Sequence, residues 1–205
     1  MAAPLPPAPP GIKLTNAASP AIVVELFHDV CCPYSKKMYD TVHGSLLAEL
    51  EARGLSGRIE FLWQSVPQPW HAQSCCMHDA VMAAKILDPG KAPAYIAAIY
   101  ACQSEFFDDQ IKDLSRVQLY ARLAAIAADS GYDAPAFAGK LSLDQVSGNA
   151  GLGEVTQHLK WAVKYHRTRG VHTSPTVFIN GIEAGDVSSG WGVSEWMEKL
   201  APMLA

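Results

Sequence analysis

An apolar strand that leads into a proline-started helix is the feature that most limits how this chain folds. Residues 21–27 are rich in β-branched and large apolar side chains, which predicts a buried strand. Pro33 then marks the start of a helix, because the N–H that proline lacks is not needed at the first helical position. We expect this helix to run to about Arg53 and to stop at Gly54. The pattern of residues 58–66 predicts a second strand, parallel to the first. This order of strand, helix and strand is typical of an α/β fold.

Helical patterns dominate the middle of the chain. Apolar residues recur at helical spacing between about residues 71 and 170, with breaks at Asp88-Pro-Gly90 and at residues 148–153. The predicted helices cover residues 71–87, 93–107, 115–130, 133–146 and 152–170. A helical block of this length is too large for a simple connection and predicts an insertion into the sheet-forming part of the chain.

Strands return near the end of the chain as a hairpin. Residues 176–179 predict a strand, and Asn180-Gly181 predicts its turn, because both residues tolerate the positive φ of a type I′ turn. Residues 182–183 begin the returning strand, and residues 193–204 predict a closing helix. A parallel pair followed by an antiparallel hairpin predicts a mixed sheet with helices packed on it.

Charge and composition exclude several classes of partner. The chain has 205 residues and a net charge of −4, which favours neither nucleic acid nor an anionic membrane as a partner. It has no apolar run long enough for a membrane span. Residues 1–20 contain six prolines and predict a flexible, extended tail. This tail lacks the charged start and continuous apolar core of a secretory signal, so we expect a cytoplasmic protein.

Cysteine usage also points to a reducing compartment. Adjacent cysteines are poor structural staples, because neighbouring Cα atoms do not fit ordinary disulfide geometry. We therefore expect at least one thiol to be retained for its reactivity. The five cysteines, four of them in adjacent pairs, are Cys31, Cys32, Cys75, Cys76 and Cys102.

Cys32 is the candidate nucleophile. It falls at the N-cap of the predicted helix, where unpaired backbone N–H groups and the helix dipole favour a thiolate. A purely structural cap is the alternative, but helices prefer Ser, Thr, Asp or Asn at this position. Ser35 either donates a hydrogen bond to the thiolate one turn later or is an ordinary first-turn serine.

Two further motifs carry polar and sulfur groups. The first is Ser174-Pro175, directly before the predicted hairpin, where a cis peptide bond would fit a tight turn. The second contains His71, Cys75 and His78, which share one face if the predicted helix starts at residue 71. No metal is expected, although these three residues are the ones that would suit zinc or copper.

The two ends of the chain together resemble the DsbA-like branch of the thioredoxin superfamily. The resemblance rests on Cys32-Pro-Tyr-Ser35 and on Thr173-Ser-Pro-Thr-Val-Phe-Ile-Asn-Gly181, and it covers residues 21–204. It implies a thioredoxin fold, a mixed sheet with flanking helices, that carries an inserted helical subdomain. The core would comprise residues 21–69 and 166–205, and the insertion residues 70–165.

The resemblance also implies roles for individual residues. Pro175 would be cis and lie beside the cysteine helix, and the backbone of Ser174 would pair with substrate. Pro33 and Tyr34 lie at the mouth of the implied site, and His71 would line it. More narrowly, the chain is similar to a poorly characterised eukaryotic group of DsbA-like proteins. That narrower similarity rests on residues 32–38, 68–71, 171–177 and 188–191.

One departure from the DsbA pattern changes the expected mechanism. DsbA carries a second cysteine three residues after the first, and here that position is Ser35. The candidate resolving thiols are Cys31, whose vicinal disulfide would be strained, and Cys75 or Cys76 if the helical block folds over the site. We expect a thiol-dependent oxidoreductase with one nucleophilic cysteine and no tightly bound cofactor. It would act on a small-molecule or protein thiol through a mixed disulfide, with glutathione as co-substrate.

Two other functions remain open from the sequence. The site is also similar to that of kappa-class glutathione transferases and hydroxychromene-carboxylate isomerases, which place a serine where Cys32 stands. A chain of that type would activate the thiol of glutathione instead of its own. The third hypothesis is a non-catalytic binding or metal-holding protein on the same scaffold, because a fold alone does not fix an activity. The sequence does not determine the oligomeric state.

Overall fold

A mixed five-stranded sheet forms the centre of the protein in a computed structural model that describes residues 4–144 and 146–204. Its strands, in chain order, are β1 (Ile12–Lys13), β2 (Ile22–His28), β3 (Ile59–Ser65), β4 (Thr176–Ile179) and β5 (Ile182–Glu183). The spatial order is β1-β3-β2-β4-β5. β2 and β3 are parallel, and the other neighbours pair in antiparallel fashion. The predicted mixed α/β sheet is confirmed.

Helices cover both faces of the sheet and fill the chain between β3 and β4. They are α1 (Pro33–Thr41), α2 (Leu47–Ala52), α3 (Ser74–Leu87), α4 (Ala92–Ala101), α5 (Asp108–Ile111), α6 (Arg116–Asp129), α7 (Ala134–Lys140), α8 (Glu154–Thr168) and α9 (Val193–Leu200). A π-helical turn joins α1 to α2. No helix within the described parts of the chain is long and apolar enough to cross a membrane.

Three apolar cores hold the helices on the sheet, and two of them are large. Val24 and Leu26 of β2 share a core with α1 and α9, which includes the fully buried Trp196. The larger core lies in the helical insertion and includes Tyr95 and Phe137, both fully buried. Burying a side chain of this size contributes roughly 1.5–3 kcal/mol, and α1 places Met38 in the first core and Tyr39 in the larger one.

Several helix boundaries differ from those expected. The helix expected from residue 71 begins at Ser74, and residues 68–74 form successive turns instead. His71 therefore lies before α3 and not on it. α4 ends at Ala101 and is followed by a 3₁₀ turn at Gln103–Phe106. α7 ends at Lys140, and part of the helix expected to reach residue 146 lies outside the described residues, at residue 145.

The expectation of a flexible tail is wrong for residues 12–17. Ile12 pairs with Trp63 across the edge of β3, and the backbone N–H of Ala17 donates to the Glu60 carboxylate at 3.1 Å. The segment between Pro10 and Pro20 contains no proline, so its N–H groups are free to complete the exposed edge of β3. The proline content of residues 1–20 as a whole gives no indication of this strand. Residues 1–3 of that tail lie outside the described residues.

The division into core and insertion stays a prediction. The sequence predicts the insertion at residues 70–165, between β3 and β4, where α3 to α7 lie. Its second boundary falls inside α8 (Glu154–Thr168), which runs from the insertion onto the sheet and contacts β3.

Truncating Ile12 tests whether the tail belongs to the folded unit. Ile12 is 3% exposed, so Ile12→Ala should lower the free energy of unfolding by about 2–5 kcal/mol through loss of burial and formation of a cavity. Leu5→Ala is the matched control, because Leu5 is 80% exposed and its truncation should change stability by less than about 0.5 kcal/mol. Urea unfolding measures both. Equally small losses in the free energy of unfolding of the two variants would contradict a packed tail.

Candidate active site

Cys32 lies where β2 passes into α1. It is the N-cap of α1, with extended backbone angles and Pro33 at the first helical position. Its carbonyl accepts the N–H of Lys36 at 3.1 Å, but its side chain makes no capping hydrogen bond. The sulfur therefore lies at the positive end of the helix without being used as a cap. Cys32 is 6% exposed, so only a small part of its surface is open to a reaction partner.

A second segment of the chain meets the Cys32 sulfur. The thiol of Cys32 donates to the carbonyl oxygen of Ser174 at 3.5 Å, across 142 positions of sequence. The peptide bond between Ser174 and Pro175 is cis, and both residues are partly buried. The hairpin that follows is held by pairing of β4 with β2, the strand that leads to Cys32, and this pairing fixes the contact.

The remaining residues of the motif have separate positions. Ser35 is fully buried, and its hydroxyl oxygen accepts the backbone N–H of Asp29 at 3.3 Å. Among the described residues no hydrogen bond joins Ser35 to the Cys32 sulfur. Pro33 and Tyr34 are exposed on the first turn of α1. Trp70 is also exposed, which gives this side of the protein two aromatic side chains open to solvent.

Asp29 is the centre of the hydrogen bonds behind the cysteines. Its side chain is fully buried, and both carboxylate oxygens are engaged. The groups that bond to it are the backbone N–H of Cys31 at 2.9 Å, the backbone N–H of Gln68 at 3.2 Å, Nδ1 of His71 at 2.8 Å, Oγ of Ser74 at 2.7 Å and Nε2 of His78 at 3.2 Å. One carboxylate thus ties the cysteine loop to the start of α3.

These partners keep Asp29 ionised. Burial alone would raise the pKa of its carboxyl group, because a charge is poorly solvated in the interior. The hydrogen bond and charge of His78, the hydrogen bond of His71 and the N–H of Cys31 outweigh burial and lower the pKa to about 2. His78 also bonds through Nδ1 to Oγ of Ser65 at 2.5 Å. A continuous polar chain therefore runs from Ser65 to the half-buried His71.

Cys31 occupies a different environment from its neighbour. It is 2% exposed, and its sulfur accepts a hydrogen bond from Nε2 of Gln73 at 2.9 Å. Burial raises the pKa of the Cys31 thiol to about 12, with further contributions from the negative charges of Asp29 and Asp108. A thiol with such a pKa is a weak nucleophile at neutral pH, so Cys31 is poorly suited to resolve a mixed disulfide.

Cys75 and Cys76 lie in the first turn of α3. Cys75 is exposed, and Cys76 is half-buried near Tyr120 and Arg116. Burial raises the pKa of both thiols, aided at Cys75 by the charge of Asp79. No hydrogen bond between described residues joins either sulfur to Cys32, and their resolving role stays a prediction.

The structure does not place the three residues that would suit zinc or copper, His71, Cys75 and His78, as the sequence predicts. His71 and His78 both bond to Asp29, and His71 precedes α3, so the three side chains do not share a helix face. In the described ranges 4–144 and 146–204, no group of three or more His, Cys, Asp or Glu side chains is arranged to hold a metal ion.

Three residues of the insertion complete the site and carried no sequence signal. Nε2 of Gln103 donates to the carbonyl oxygens of Val30 at 2.8 Å and Cys32 at 3.0 Å. Gln73 bonds to the Cys31 sulfur, and the hydroxyl of Tyr100 donates to the carbonyl of Asp29 at 3.5 Å. Isolated glutamines and tyrosines in a helical block have no diagnostic spacing. Together they show that the insertion holds the cysteine loop.

A family model described as thioredoxin matches residues 12–199 of the chain. That range includes Cys32, Ser174 and Pro175, and it also includes the helical insertion. No curated protein matches the chain.

Solved structures share the fold across nearly the whole chain. A candidate protein-disulfide isomerase from Pseudomonas syringae is 26% identical, with a TM-score of 0.71 over 93% of this chain and 97% of that one. BdbD from Bacillus subtilis is 13% identical, with a TM-score of 0.69 over 95% and 92% of the two chains. MdbA, a thiol-disulfide oxidoreductase from Corynebacterium diphtheriae, is 16% identical, with a TM-score of 0.61 over 93% and 92%. The predicted thioredoxin fold is confirmed, and the narrower eukaryotic group stays a prediction.

Replacing Asp29 by asparagine should change how stability depends on pH. The pKa of Asp29 falls from an ordinary 3.8 to about 2 on folding, so its charge stabilises the folded state above pH 4. That stabilisation is lost as the pH falls through about 2. The free-energy difference between wild type and Asp29→Asn should therefore shrink by about 2 kcal/mol between pH 5 and pH 2. Urea unfolding at the two pH values measures it, and a constant difference would contradict the network.

Alkylation should distinguish the two adjacent cysteines. With a pKa of about 12, Cys31 is almost entirely protonated at pH 8. We expect iodoacetamide to label Cys31 roughly 1,000-fold more slowly than an ordinary thiol, because only the thiolate reacts. Mass spectrometry of the peptide resolves the two sites by fragmentation. Labelling of Cys31 at an ordinary rate would contradict the buried environment described for it.

Proposed function

The chain belongs to the thioredoxin family, and from this we propose that it is a thiol-disulfide oxidoreductase of the DsbA type whose single nucleophile is Cys32. The observation that carries the proposal is the contact between the Cys32 sulfur and the carbonyl oxygen of Ser174 at 3.5 Å. The contact brings a thiol at a helix N-terminus beside the backbone segment that directly precedes β4. A nucleophile and a surface that aligns its substrate are the two parts that disulfide exchange requires.

The first step of the proposed reaction forms a mixed disulfide. Cys32 loses its proton to water, and its thiolate attacks one sulfur of a substrate disulfide R–S–S–R′. A bond forms between Cys32 and the R sulfur while the R–S–S–R′ bond breaks. The R′ thiolate leaves with the electron pair and takes up a proton. The N-terminus of α1 favours the anionic form of Cys32 during this step.

The second step regenerates Cys32 and uses glutathione. A glutathione thiolate attacks the R sulfur of the mixed disulfide, and the Cys32 thiolate leaves, so that the disulfide of R and glutathione is released. No external oxidant or reductant enters, because the number of disulfide bonds is unchanged. An external thiol is proposed because Ser35 replaces the usual second cysteine and the raised pKa of Cys31 makes it a weak nucleophile.

The surroundings of Cys32 favour an extended substrate. Ser174 offers backbone groups beside the sulfur, and Tyr34 and Trp70 are exposed aromatic side chains. Aromatic side chains open to solvent suit contact with the apolar parts of a peptide. We propose a protein thiol or disulfide as the substrate, with a small-molecule thiol as co-substrate. We also propose a cytoplasmic location, because adjacent cysteines are poor structural staples.

Kinetic measurement of disulfide exchange tests this function. With a self-quenched fluorescent derivative of glutathione disulfide as substrate and glutathione as second thiol, Cys32→Ser should lower the rate at least roughly 1,000-fold, because the nucleophile is lost. Cys102→Ser is the matched control. Cys102 is half-buried directly after α4, and its thiol donates to the carbonyl oxygen of Ala98 at 3.2 Å, so the control should keep full activity.

Three results would contradict the proposal. If Cys32→Ser retains exchange activity, Cys32 is not the nucleophile. If Cys31→Ser, Cys75→Ser or Cys76→Ser abolishes activity at saturating glutathione, that thiol resolves the mixed disulfide and glutathione does not. If Cys32→Ser instead conjugates glutathione to an electrophile such as 1-chloro-2,4-dinitrobenzene, the protein is a transferase of the kappa-class type.

A further inference from the structure

A cavity of about 750 Å³ lies under the proline-rich N-terminal segment. The strand residues Val23 and Leu62 form its floor, Met82 of α3 and Trp161 of α8 form its walls, and residues 6–13 cover it. Its lining includes neither Cys32 nor Ser174, so it is separate from the proposed active site. Cavities of this size, lined mainly by apolar groups with few polar ones, are typical of small-molecule sites.

The covering segment is held in place by polar contacts to the cavity walls. Nε1 of Trp161 donates to the carbonyl oxygen of Pro4 at 2.7 Å. The carbonyl oxygen of Pro10 accepts a hydrogen bond from Nε2 of Gln64 at 3.0 Å. Pairing of β1 with β3 fixes the end of the segment. The cover is therefore part of the folded structure, and the space beneath it is a formed pocket.

One charged group in this cavity lacks a counter-ion. The cavity is lined by five titratable side chains, Lys13, Glu60, Lys85, Glu154 and His158. Lys13 pairs with Glu60 at 3.4 Å, and Glu154 pairs with Lys140 at 2.8 Å. Lys85 forms no ion pair within the described part of the chain.

Lys85 and His158 both line the cavity and make it a candidate site for an anion. Burial lowers the pKa of Lys85, and the charge of Lys85 adds to the effect of burial in lowering the pKa of His158. The two side chains come from α3 and α8, which pack against each other. An ammonium group and a neighbouring ring N–H, both partly removed from water, can each donate to a carboxylate.

We propose that this cavity binds an amphipathic carboxylate, whose apolar chain lies over Val23 and Leu62 and whose acid group pairs with Lys85. The apolar lining accounts for the chain, and the unpaired ammonium accounts for the acid group. A neutral apolar molecule would leave Lys85 unpaired, and a cationic one would face it at close range. Burying a charge without a partner is costly, and the carboxylate would supply the counter-ion that Lys85 lacks.

Calorimetric binding of decanoate to the full-length protein tests this site, with 1-decanol as the uncharged analogue. Decanoate should bind more tightly than decanol. Lys85→Met keeps the length of the side chain and removes its charge, and it should weaken decanoate binding by about 10-fold or more while leaving decanol binding unchanged. Lys85→Arg should retain decanoate binding. Lys160→Met is the matched control on the exposed part of α8 and should have no effect.

Two results would overturn the site. Equal affinity for decanoate and decanol, or decanoate binding that Lys85→Met leaves unchanged, would remove the role of Lys85. Failure of both molecules to bind would show that the cavity is not a ligand site. Cys32→Ser should bind decanoate like the wild type, so the result is independent of whether the proposed exchange activity is found.

Discussion

Hydrogen bonding to the buried carboxylate of Asp29 is the interaction on which the site depends. Asp29 follows β2 directly, and its five hydrogen bonds hold the Cys31 backbone, the loop after β3 and the first turns leading into α3. A charge in the interior is stable only when its oxygens are fully paired, and here the helical insertion supplies most of the partners. The insertion is therefore a structural part of the site. It holds in place the loop that joins β2 to α1 and that contains Cys32.

Much of the fold could be predicted from local sequence. Three features follow from local backbone preferences, which do not depend on distant contacts. They are the β-branched run of β2, Pro33 at the start of α1 and the Asn180-Gly181 turn. Both turn residues have positive φ, as a type I′ turn requires. β1 could not be predicted in this way, because a strand of two residues is too short to show the alternating pattern of a β-strand. It forms only because β3 offers an unpaired edge, which is a property of the assembled sheet.

The site was predictable only where a motif marks it. Cys32, Ser174 and Pro175 stand in recognisable segments, and the structure brings them together. Gln73 and Gln103 carry no signal, because a single amide within a long helical sequence pattern looks like any other polar residue until its partners are known. The different surroundings of Cys31 and Cys32 cannot be predicted from the sequence either. The Cys31 sulfur accepts a hydrogen bond from Gln73, whereas the Cys32 thiol donates to Ser174, and both partners lie far away in the sequence.

The most direct test of the proposed site is a crystal structure of a trapped mixed disulfide. A variant that keeps only Cys32 would be reacted with an activated cysteine-containing peptide and crystallised. If the site works as proposed, the peptide sulfur is bonded to Cys32 and the peptide backbone pairs with the backbone of Ser174. A peptide that is bonded to Cys32 but runs away from Ser174, or a Cys32 that does not react, would contradict the proposal.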